Sequence, residues 1–468
     1  MTHLVTTDNN LGKSLLDPSC SVESACNTYK DLSTIANISL KELCQNNPSL
    51  IVFPRVLGGI DDGIAELNIC ELSGSSESPK NAKITTGNLM GFIGYGQTQL
   101  SIQSRFTKAD GEDCFLHYML EKVGLLNLFD LQHSSSKDSF FDFLLYLFPT
   151  MLKKAANQGV FKTYCSFEHN DTNIKGVIDI PRHIRSNIPF TGNIAYKTRE
   201  RTYDNPVTEL IRHAIEIIKT KPNGKVVLFN DSETKTIVNE FVQVTTSYNF
   251  LEREKIIAKN IQPLNHPYYT YYRPLQQLCL AILLHHKLAY RNNANQVYGV
   301  LFDGAWLWEE YLALVLKAEG FSHPRNKVGK GGIKMFEKDE KSFNNNHRRI
   351  YPDFYRPNTA ENKGCIIDAK YKRLQNGVGR EDLYQVVTYM HTMRIDNGGF
   401  IYPLEQKESS PEIINYNHYE LAHSGYGGVI NVYGIKIPDN ETNFEEFCIK
   451  MNEIEKELCN EIASQKNL

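Results

Sequence analysis

Two short motifs constrain this chain more than any other feature of its sequence. The first is Y-P-D, which ends at Asp353, and the second is D-A-K, which runs from Asp368 to Lys370. Each lies on a run of β-type residues, and the turn-like segment NTAENKG separates the two runs, so we predict a β-hairpin. Because side chains alternate along a strand, Asp368 and Lys370 share one face, and strand pairing can set Asp353 beside them.

Three ionisable groups on one face favour phosphodiester chemistry. Two carboxylates with open space between them suit Mg²⁺ or Mn²⁺, which take oxygen ligands and retain waters that a phosphate can displace. We predict Asp353, Asp368 and the carbonyl of Ala369 as metal ligands. Lys370 can orient the attacking water or stabilise charge on the phosphorane. The plain alternative is an exposed aspartate near a turn and an ordinary solvated D-x-K face.

Two helical segments add further polar candidates. In REDLYQVVTYMHTMR the apolar residues form one stripe, and Gln385 and Tyr389, one turn apart, lie on a neighbouring face. In AWLWEEYLALVLKAEG, Glu309 sits among apolar residues, where a carboxylate needs a cation nearby. A surface amide, a half-buried tyrosine and a solvated glutamate are the structural alternatives for these three residues.

A basic stretch precedes the hairpin. The formal net charge of the chain is -3, so a nucleic-acid site depends on local clustering of cations and not on bulk charge. Lysines and arginines that neutralise phosphates bind DNA in a sequence-independent, salt-sensitive way, although a charge run is also typical of a solvated loop. The predicted DNA-binding residues are Arg325, Lys327, Lys330, Lys334, Arg348 and Arg349.

Changes in pattern along the chain predict four regions. Residues 1–45 are rich in polar residues and read as a poorly ordered leader, and residues 46–110 as a small β-rich module. Residues 111–295 form a mainly helical, partner-binding region with one β-hairpin, FKTYCSFEHN paired with IKGVIDIPRHI. Residues 296–468 alternate helices and strands, which favours an α/β domain with a mixed sheet flanked by helices, preceded by an α+β N-terminal region.

Cysteine spacing and hydropathy exclude other classes of protein. The ten cysteines form no C-x-x-C pair and no Cys/His spacing typical of zinc, which favours a reduced, cytoplasmic protein. The longest apolar run falls far short of the roughly 20 residues of a membrane span, so we predict no membrane association.

The order Y-P-D, D-A-K, Q-x-x-x-Y, with a glutamate-bearing helix upstream, resembles the PD-(D/E)xK nuclease superfamily. More narrowly, the chain resembles the McrC family: the segments GYGQTQLSIQSRF, NIKGVIDIPRHIR and RERTYDNPVTELIRHAI are similar to stretches of McrC-type proteins, and the likeness covers roughly residues 50–430. The resemblance implies metal ligands at Asp353 and Asp368, a catalytic Lys370, an accessory acid at Glu309, and a Q-x-x-x-Y pair at Gln385 and Tyr389.

The resemblance also implies a partner. McrC is the DNA-cleaving subunit of a modification-dependent restriction complex, and it caps and stimulates McrB, a GTP-hydrolysing AAA+ ring. The chain contains no G-x-x-x-x-G-K-[ST] motif, so we expect it to bind no nucleotide itself. Arg199 and Arg201, in the basic, aromatic segment YKTRERTY, are the predicted partner contacts; charges on a solvated β-edge are the alternative.

Two other functions compete with a McrC-like nuclease. A stand-alone nuclease of RecB or resolvase type uses the same hairpin without a GTPase ring, and the N-terminal half of the chain disfavours it. A non-cleaving adaptor that caps an AAA+ ring uses the same fold as a scaffold. The intact set of Asp353, Asp368 and Lys370 argues against the adaptor.

Overall fold

The chain forms two compact units, which are described separately. One comprises residues 1–126 and 294–468, and the other comprises residues 127–293. The computed structural model describes residues 2–14, 22–47, 50–53, 66–74, 81–96, 98–107, 113–123, 139–221, 224–262, 264–290, 297–324, 332–336, 349–359, 363–373, 377–405, 413–421, 427–438 and 444–464.

Strands and helices alternate along both units. In chain order the strands are β1 (Thr2–Thr7), β2 (Lys13–Ser14), β3 (Leu50–Phe53), β4 (Cys70–Ser73), β5 (Lys83–Thr86), β6 (Leu89–Tyr95), β7 (Thr98–Gln103), β8 (Thr163–Asp171), β9 (Val177–Ile178), β10 (Ile194–Thr202), β11 (Tyr298–Asp303), β12 (Ile333–Lys334), β13 (Arg349–Ile350), β14 (Phe354–Arg356), β15 (Cys365–Ala369), β16 (Asn397–Leu404), β17 (Ile413–Glu420) and β18 (Val429–Lys436). The α-helices are α1 (Val22–Ser33), α2 (Leu40–Asn46), α3 (Cys114–Lys122), α4 (Ser139–Ala156), α5 (Ile180–Ser186), α6 (Pro206–Lys219), α7 (Gly224–Phe229), α8 (Ser232–Val244), α9 (Arg253–Lys259), α10 (Tyr272–Tyr290), α11 (Gly304–Leu316), α12 (Arg380–Met393) and α13 (Phe444–Ser464).

The first sheet of the discontinuous unit joins the two ends of the chain. Its strand order is β1-β7-β6-β11-β3, with β1 parallel to β7 and β11 parallel to β3. The N-terminal residues predicted to be a poorly ordered leader instead supply β1, α1 and α2, and their Leu4, Leu32 and Leu43 are buried in the core. The apolar residues of this segment are sparse, so its order depends on pairing with β7, which local sequence does not reveal.

The same sheet also changes the predicted boundaries. The segment LFDGAWLWEEYLALVLKAEG, expected to be one helix, begins inside strand β11 and becomes helical only at Gly304. Strand β11 pairs with β6 as well as β3, so the β-rich module and the C-terminal region share one sheet and one unit. The Asp303 side chain accepts from the Ala305 amide and caps α11, which ends the strand and starts the helix.

The second sheet of this unit is the mixed sheet predicted for the C-terminal region. Its order is β14-β15-β16-β18-β17, with β15, β16 and β18 parallel and the two edge strands antiparallel to their neighbours. Helix α12 links β15 to β16 and packs on both, with Val386 and Met390 in the same core as Phe400. The α/β class with a mixed sheet is confirmed.

The continuous unit combines a helical core with an open three-stranded sheet. Helices α4, α6, α8 and α10 pack together, and Ile211, Phe241 and Leu278 are fully buried. The predicted pairing within this unit is wrong: β8 pairs with β10 and not with β9, and the segment PRHI of the second predicted strand lies in α5. Asp179 caps α5 and Pro181 lies in its first turn, two helix-start signals that outweigh the β-type residues around them.

In the part of the chain that the structure describes, no helix is both long and apolar enough to cross a membrane.

Candidate active site

The two motifs meet on adjacent strands at the edge of the mixed sheet. Strands β14 and β15 are antiparallel, and their last register pair towards the site is Phe354 opposite Ile367. One step further along the strands, Asp353 and Asp368 therefore face each other. The amide of Ala369 donates to Asp353 Oδ2 at 2.8 Å, which fixes the first carboxylate against the second strand. The predicted hairpin and its convergence are confirmed.

Lys370 joins the two aspartates as predicted. Its Nζ lies 2.6 Å from Asp368 Oδ2, and Asp368 is 1% exposed. Neither carboxylate oxygen of Asp368 takes part in a hydrogen bond of regular geometry among the described residues, so the contact with Lys370 is mainly electrostatic. The backbone amide of Lys370 donates to Ile401 O at 3.0 Å, which continues the ladder with β16 beyond the end of β15.

The two aspartates carry more negative charge than their surroundings neutralise. Burial, and next the charges of Asp368 and Glu309, raise the pKa of Asp353 well above its ordinary value. Burial also raises the pKa of Asp368, against the opposing effect of Lys370. Like charges held close together in a low-dielectric setting disfavour ionisation of both, and a bound cation would relieve that repulsion.

Lys370 stays a cation in this setting. Burial by itself would lower the pKa of Lys370, but the carboxylates of Asp368 and Asp382 outweigh it and hold the pKa above its ordinary value. A lysine that is protonated at neutral pH can stabilise negative charge or orient a water molecule, and it cannot act as a general base.

Glu309 reaches the site from helix α11, together with a residue that the sequence did not single out. His323 Nε2 lies 3.8 Å from Glu309 Oε1, and its Nδ1 is 2.8 Å from the backbone oxygen of Asp353. Burial opposes the charged form of His323, but its hydrogen bonds to Glu310 and to Asp353 raise its pKa above the ordinary value. The bridge between Ser322 and Tyr355 places this histidine beside β14, a contact without a local sequence signal.

Asp382 is a second residue missed by the sequence. It lies in the first turn of α12, 3.4 Å from Lys370 Nζ and 2.7 Å from Lys372 Nζ. Burial works against its charged form, yet the hydrogen bond from Lys372 and the charge of Lys370 hold its pKa below the ordinary value. A carboxylate at a helix N-terminus is favoured by the helix dipole, and this one stabilises Lys370 in position.

The Q-x-x-x-Y pair lies on the same helix. Gln385 Nε2 donates to the Tyr389 hydroxyl at 2.9 Å, which confirms the predicted proximity of the two side chains. Tyr389 is buried, whereas Gln385 is exposed. Burial is the largest effect that raises the pKa of Tyr389, and the charges of Asp368 and Asp353 add to it, which shows that the phenol lies within electrostatic reach of both carboxylates.

The donor set fits a hard divalent cation. Among the described residues, no group of three or more His, Cys, Asp or Glu side chains is arranged as a preformed metal cage. Mg²⁺ needs only one or two carboxylates and retains several waters, so Asp353 and Asp368 are sufficient. The buried carboxylate of Asp368 is ion-paired with Lys370, and a metal ion held by Asp353 and Asp368 would lie beside that ammonium group. The role of the Ala369 carbonyl as a further ligand stays a prediction.

Two of the six predicted DNA-binding residues lie within the described part of the chain. Lys334 of β12 and Arg349 of β13 are directly paired in register, and both are exposed. Arg349 also donates to the backbone oxygen of Gly332 at 2.7 Å. The remaining four lie outside the described residues: Arg325, Lys327, Lys330 and Arg348.

The predicted partner contacts lie in the other unit. Arg199 and Arg201 are both on β10 and both exposed. The guanidinium of Arg199 stands 5.2 Å from the ring centroid of Tyr164, which is itself 60% exposed. The two arginines therefore present cations and an aromatic ring on an open sheet face.

The fold and the site define a mixed α/β protein with a partly buried centre of two aspartates and a lysine at the edge of its sheet. A family model described as McrBC 5-methylcytosine restriction system component matches residues 84–403. This is more than half of the chain, so the chain belongs to the McrBC family and is a component of a restriction system of that type.

Other comparisons show weaker likeness. A half-complex from the tetradecameric assembly of Thermococcus gammatolerans McrB AAA+ hexamers with bound McrC matches 97% of this chain and 100% of its own, at 14% identity and a TM-score of 0.44. The cryo-EM structure of the Thermococcus gammatolerans McrBC complex matches 68% of this chain and 87% of its own, at 14% identity and a TM-score of 0.35. No curated protein matches the chain.

Proposed function

We propose that this chain is the DNA-cleaving subunit of its restriction system, a Mg²⁺-dependent endonuclease with the PD-(D/E)xK fold. The observation that carries the proposal is the convergence of Asp353, Asp368 and Lys370, with Lys370 Nζ 2.6 Å from Asp368 Oδ2 at a sheet edge. Two carboxylates beside a lysine that stays protonated form a donor set suited to phosphodiester hydrolysis.

Each residue of the site has a defined part in this proposal. Asp353 and Asp368 hold the cation, which, when bound, polarises the scissile phosphate and activates a water molecule. Lys370 places its positive charge where the phosphorane becomes more negative, and Asp382 keeps that ammonium group in place at 3.4 Å. Glu309 acts as the accessory acid.

The second layer of the site holds these groups in position. His323 donates from its Nδ1 to the backbone oxygen of Asp353, 2.8 Å away, and so restrains the strand that carries the first ligand. Gln385 and Tyr389 form their hydrogen bond on the adjoining helix, which holds the Tyr389 hydroxyl in place. Mutation of such supporting partners at metal sites costs about 10- to 100-fold in metal affinity or activity.

DNA approaches across the exposed β12 and β13 pair in this proposal. Lys334 and Arg349 are register partners there, and two like charges directly opposite each other are unfavourable until an anion lies between or over them. Arg349 and Asp353 are close in the sequence, so we expect a DNA phosphate that binds Arg349 to lie near the site. Contacts of this kind are independent of base sequence and weaken as salt rises.

Cleavage by this chain is coupled to a McrB-like AAA+ GTPase ring, which it stimulates through the exposed face of β10. Arg199 and Arg201 supply the residue type that anchors protein interfaces. One D…D-x-K set hydrolyses one strand per engagement, so double-strand breaks need two chains or two events. We therefore expect efficient double-strand cleavage only with the ring, GTP and Mg²⁺ together.

A nicking assay tests the proposal directly. Methylated supercoiled plasmid is incubated with the chain across a Mg²⁺ series, with and without a McrB-type GTPase and GTP, and Asp368→Ala is measured in parallel. We expect Mg²⁺-dependent cleavage that requires the partner and is lost in Asp368→Ala, which retains folding and partner binding.

The other outcomes of the assay are equally informative. Rapid double-strand cleavage without partner or nucleotide would favour a stand-alone nuclease. Stimulation of GTP hydrolysis without any cleavage would favour an adaptor, and retained cleavage by Asp368→Ala would contradict the site assignment.

A further inference from the structure

Behind the catalytic strand lies a buried ion pair at the end of the first sheet. Asp8 follows β1 and Arg105 follows β7, and their side chains are 0% and 2% exposed. Arg105 Nη1 lies 2.8 Å from Asp8 Oδ2, and the Arg105 amide also donates to Asp8 Oδ1. Burial of two charges is unfavourable unless their geometry is fixed, so we expect the side chains of this pair to be held rigidly.

Tyr371 packs directly on that pair. The guanidinium carbon of Arg105 is 4.4 Å from the centroid of the Tyr371 ring, and the Tyr371 hydroxyl donates to Met90 Sδ at 3.5 Å. A planar guanidinium over an aromatic face is a favourable arrangement that lysine does not reproduce. Burial raises the pKa of Tyr371 well above its ordinary value, so the ring stays neutral in this place.

The first turn of α11 touches the same ring. A Cβ added at Gly304 would lie 2.7 Å from Tyr371 Cε1, so only glycine allows the helix to approach this closely. The Gly304 amide donates to Asn88 O at 2.8 Å, which ties the start of the helix to the first sheet. Helix α11 carries Glu309, and Tyr371 directly follows Lys370, so this ring connects the segment of Lys370 with the helix of Glu309.

The alternation of side chains along a strand explains why Tyr371 faces away from the candidate site. Asp368 and Lys370 point to the candidate site, and Tyr371, the next residue, points to the opposite face. We infer that Tyr371, held by the buried Asp8–Arg105 pair, is a positioning residue that sets Lys370 and Glu309 relative to each other. The inference rests on the proposed nuclease function, and it makes the first strands of the chain part of the scaffold of the active site.

Two substitutions at one position test the role of the ring. In the full chain, Tyr371→Leu removes the surface on which Arg105 rests, and Tyr371→Phe keeps it. Since misplacement of a catalytic group by about 1 Å can cost about 100-fold, we expect Tyr371→Leu to lower kcat by at least about tenfold with KM for DNA unchanged. Tyr371→Phe should stay within about twofold of the unaltered chain, because it keeps the ring on which the Arg105 guanidinium rests and loses only the polar contacts of the hydroxyl with Met90 and Asp8.

A matched control separates positioning from loss of stability. Leu100, in β7, is fully buried in the core of the first sheet. None of the contacts of Tyr371 given above involves Leu100. Leu100→Ala therefore destabilises the same unit without moving the ring. Thermal unfolding of each variant gives the comparison, and amide hydrogen exchange of the peptide 365–373 reports the order of the strand without reference to cleavage.

The outcomes distinguish this inference from the proposed function. If the unaltered chain with its partner does not cleave DNA, the proposed function fails, and hydrogen exchange alone then decides: faster exchange of 365–373 in Tyr371→Leu but not in Leu100→Ala supports the structural coupling. If the unaltered chain cleaves and Tyr371→Leu is equally active, or Leu100→Ala is as slow at equal stability, the inference is wrong.

A second variant covers the case in which Tyr371→Leu does not fold. Asp8→Asn combined with Arg105→Gln removes both charges together, so no unpaired charge stays buried. It keeps Tyr371 but removes the planar cation that holds the ring. We expect the same loss in kcat and the same faster exchange of 365–373, and unchanged values for both would overturn the inference.

Discussion

Both units place a lysine between two carboxylates, with different consequences. In the continuous unit, Lys197 Nζ lies 2.9 Å from Asp179 and 3.2 Å from Glu168. In the discontinuous unit, Lys370 Nζ lies 2.6 Å from Asp368 and 3.4 Å from Asp382. The distances are similar, but Lys197 is 45% exposed and Lys370 16% exposed.

Exposure decides what each cluster can do. Water screens the charges around Lys197, so its ion pairs contribute little and only shape the sheet surface. Near Lys370, burial and next the charges of Asp368 and Glu309 raise the pKa of Asp353, and a bound cation would oppose this shift. The comparison indicates that burial, and not the distances between the charges, distinguishes the two lysine–carboxylate clusters.

The largest expected effect comes from removing one lysine from each cluster. Lys370→Ala should lower the rate of cleavage by about 10²- to 10³-fold, because it deletes the cation aimed at the developing charge. Lys197→Ala, the matched control, should leave cleavage unchanged when the partner is saturating. Single-turnover cleavage at saturating Mg²⁺ measures both. Equal losses in the two variants would mean that burial does not separate the clusters.

The exposed three-stranded sheet of the continuous unit should affect stimulation of the GTPase partner and not the cleavage step. Arg199→Ala combined with Arg201→Ala should lower stimulation of the GTPase by about tenfold, the scale of one interface anchor residue. Cleavage chemistry with saturating partner should be little changed. Steady-state GTP hydrolysis across a concentration series of the chain is the measurement, with the exposed Lys225→Ala of the same unit as control. Unchanged stimulation would place the contact elsewhere.

A smaller effect is expected at the edge of the catalytic cluster. Tyr389→Phe removes the hydroxyl that accepts from Gln385 at 2.9 Å, and one such bond is worth about 1 kcal/mol, or about fivefold in rate. Tyr384→Phe is the control, since Tyr384 lies on the same helix and is 61% exposed. A rate for Tyr389→Phe that matches the control would remove this hydrogen bond from the mechanism.

The last prediction concerns acid stability of the continuous unit and not cleavage. Burial, with the charges of Arg253 and Arg212, lowers the pKa of His213 from 6.5 to about 4. The unfolded chain then binds a proton below pH 6.5 that the folded chain refuses until about pH 4, so stability falls across that window by about 1.4 kcal/mol per pH unit.

Urea unfolding at several pH values tests this sign. His213→Leu should flatten the decline between pH 6.5 and 4, whereas substitution of the exposed His391 by Gln should leave it as it is. Hydrogen exchange in α6 assigns the transition to the continuous unit. A decline of equal slope in His213→Leu would show that other groups control acid unfolding.

Local pattern predicted the hairpin of the candidate site because strand pairing across a short turn is a local event. The alternation of β15 and the turn after β14 were sufficient to bring Asp353, Asp368 and Lys370 together. The helix carrying Gln385 and Tyr389 followed from its apolar stripe in the same way.

The site residues that the sequence did not reveal, and the element boundaries that it predicted wrongly, both depend on contacts between distant segments. His323 and Asp382 enter the site through contacts that the hairpin itself does not specify, and nothing in their neighbouring residues marks them. Strand β1 pairs with β7, nearly a hundred residues away in the sequence. Strand β11 pairs with β3, although the sequence of the whole continuous unit lies between them. Such pairings depend on shared burial of surfaces and leave no periodic signal in the segments themselves.

The sequence by itself therefore determined the chemical groups of this protein and the strands and helix that carry them, because alternation and helical periodicity are properties of a short segment. Only the tertiary structure decided which charges are buried, that Tyr371 packs on the buried Asp8–Arg105 pair, and that Lys197 is more exposed to water than Lys370. Burial is a property of the packed whole, since it depends on which distant segments cover a side chain.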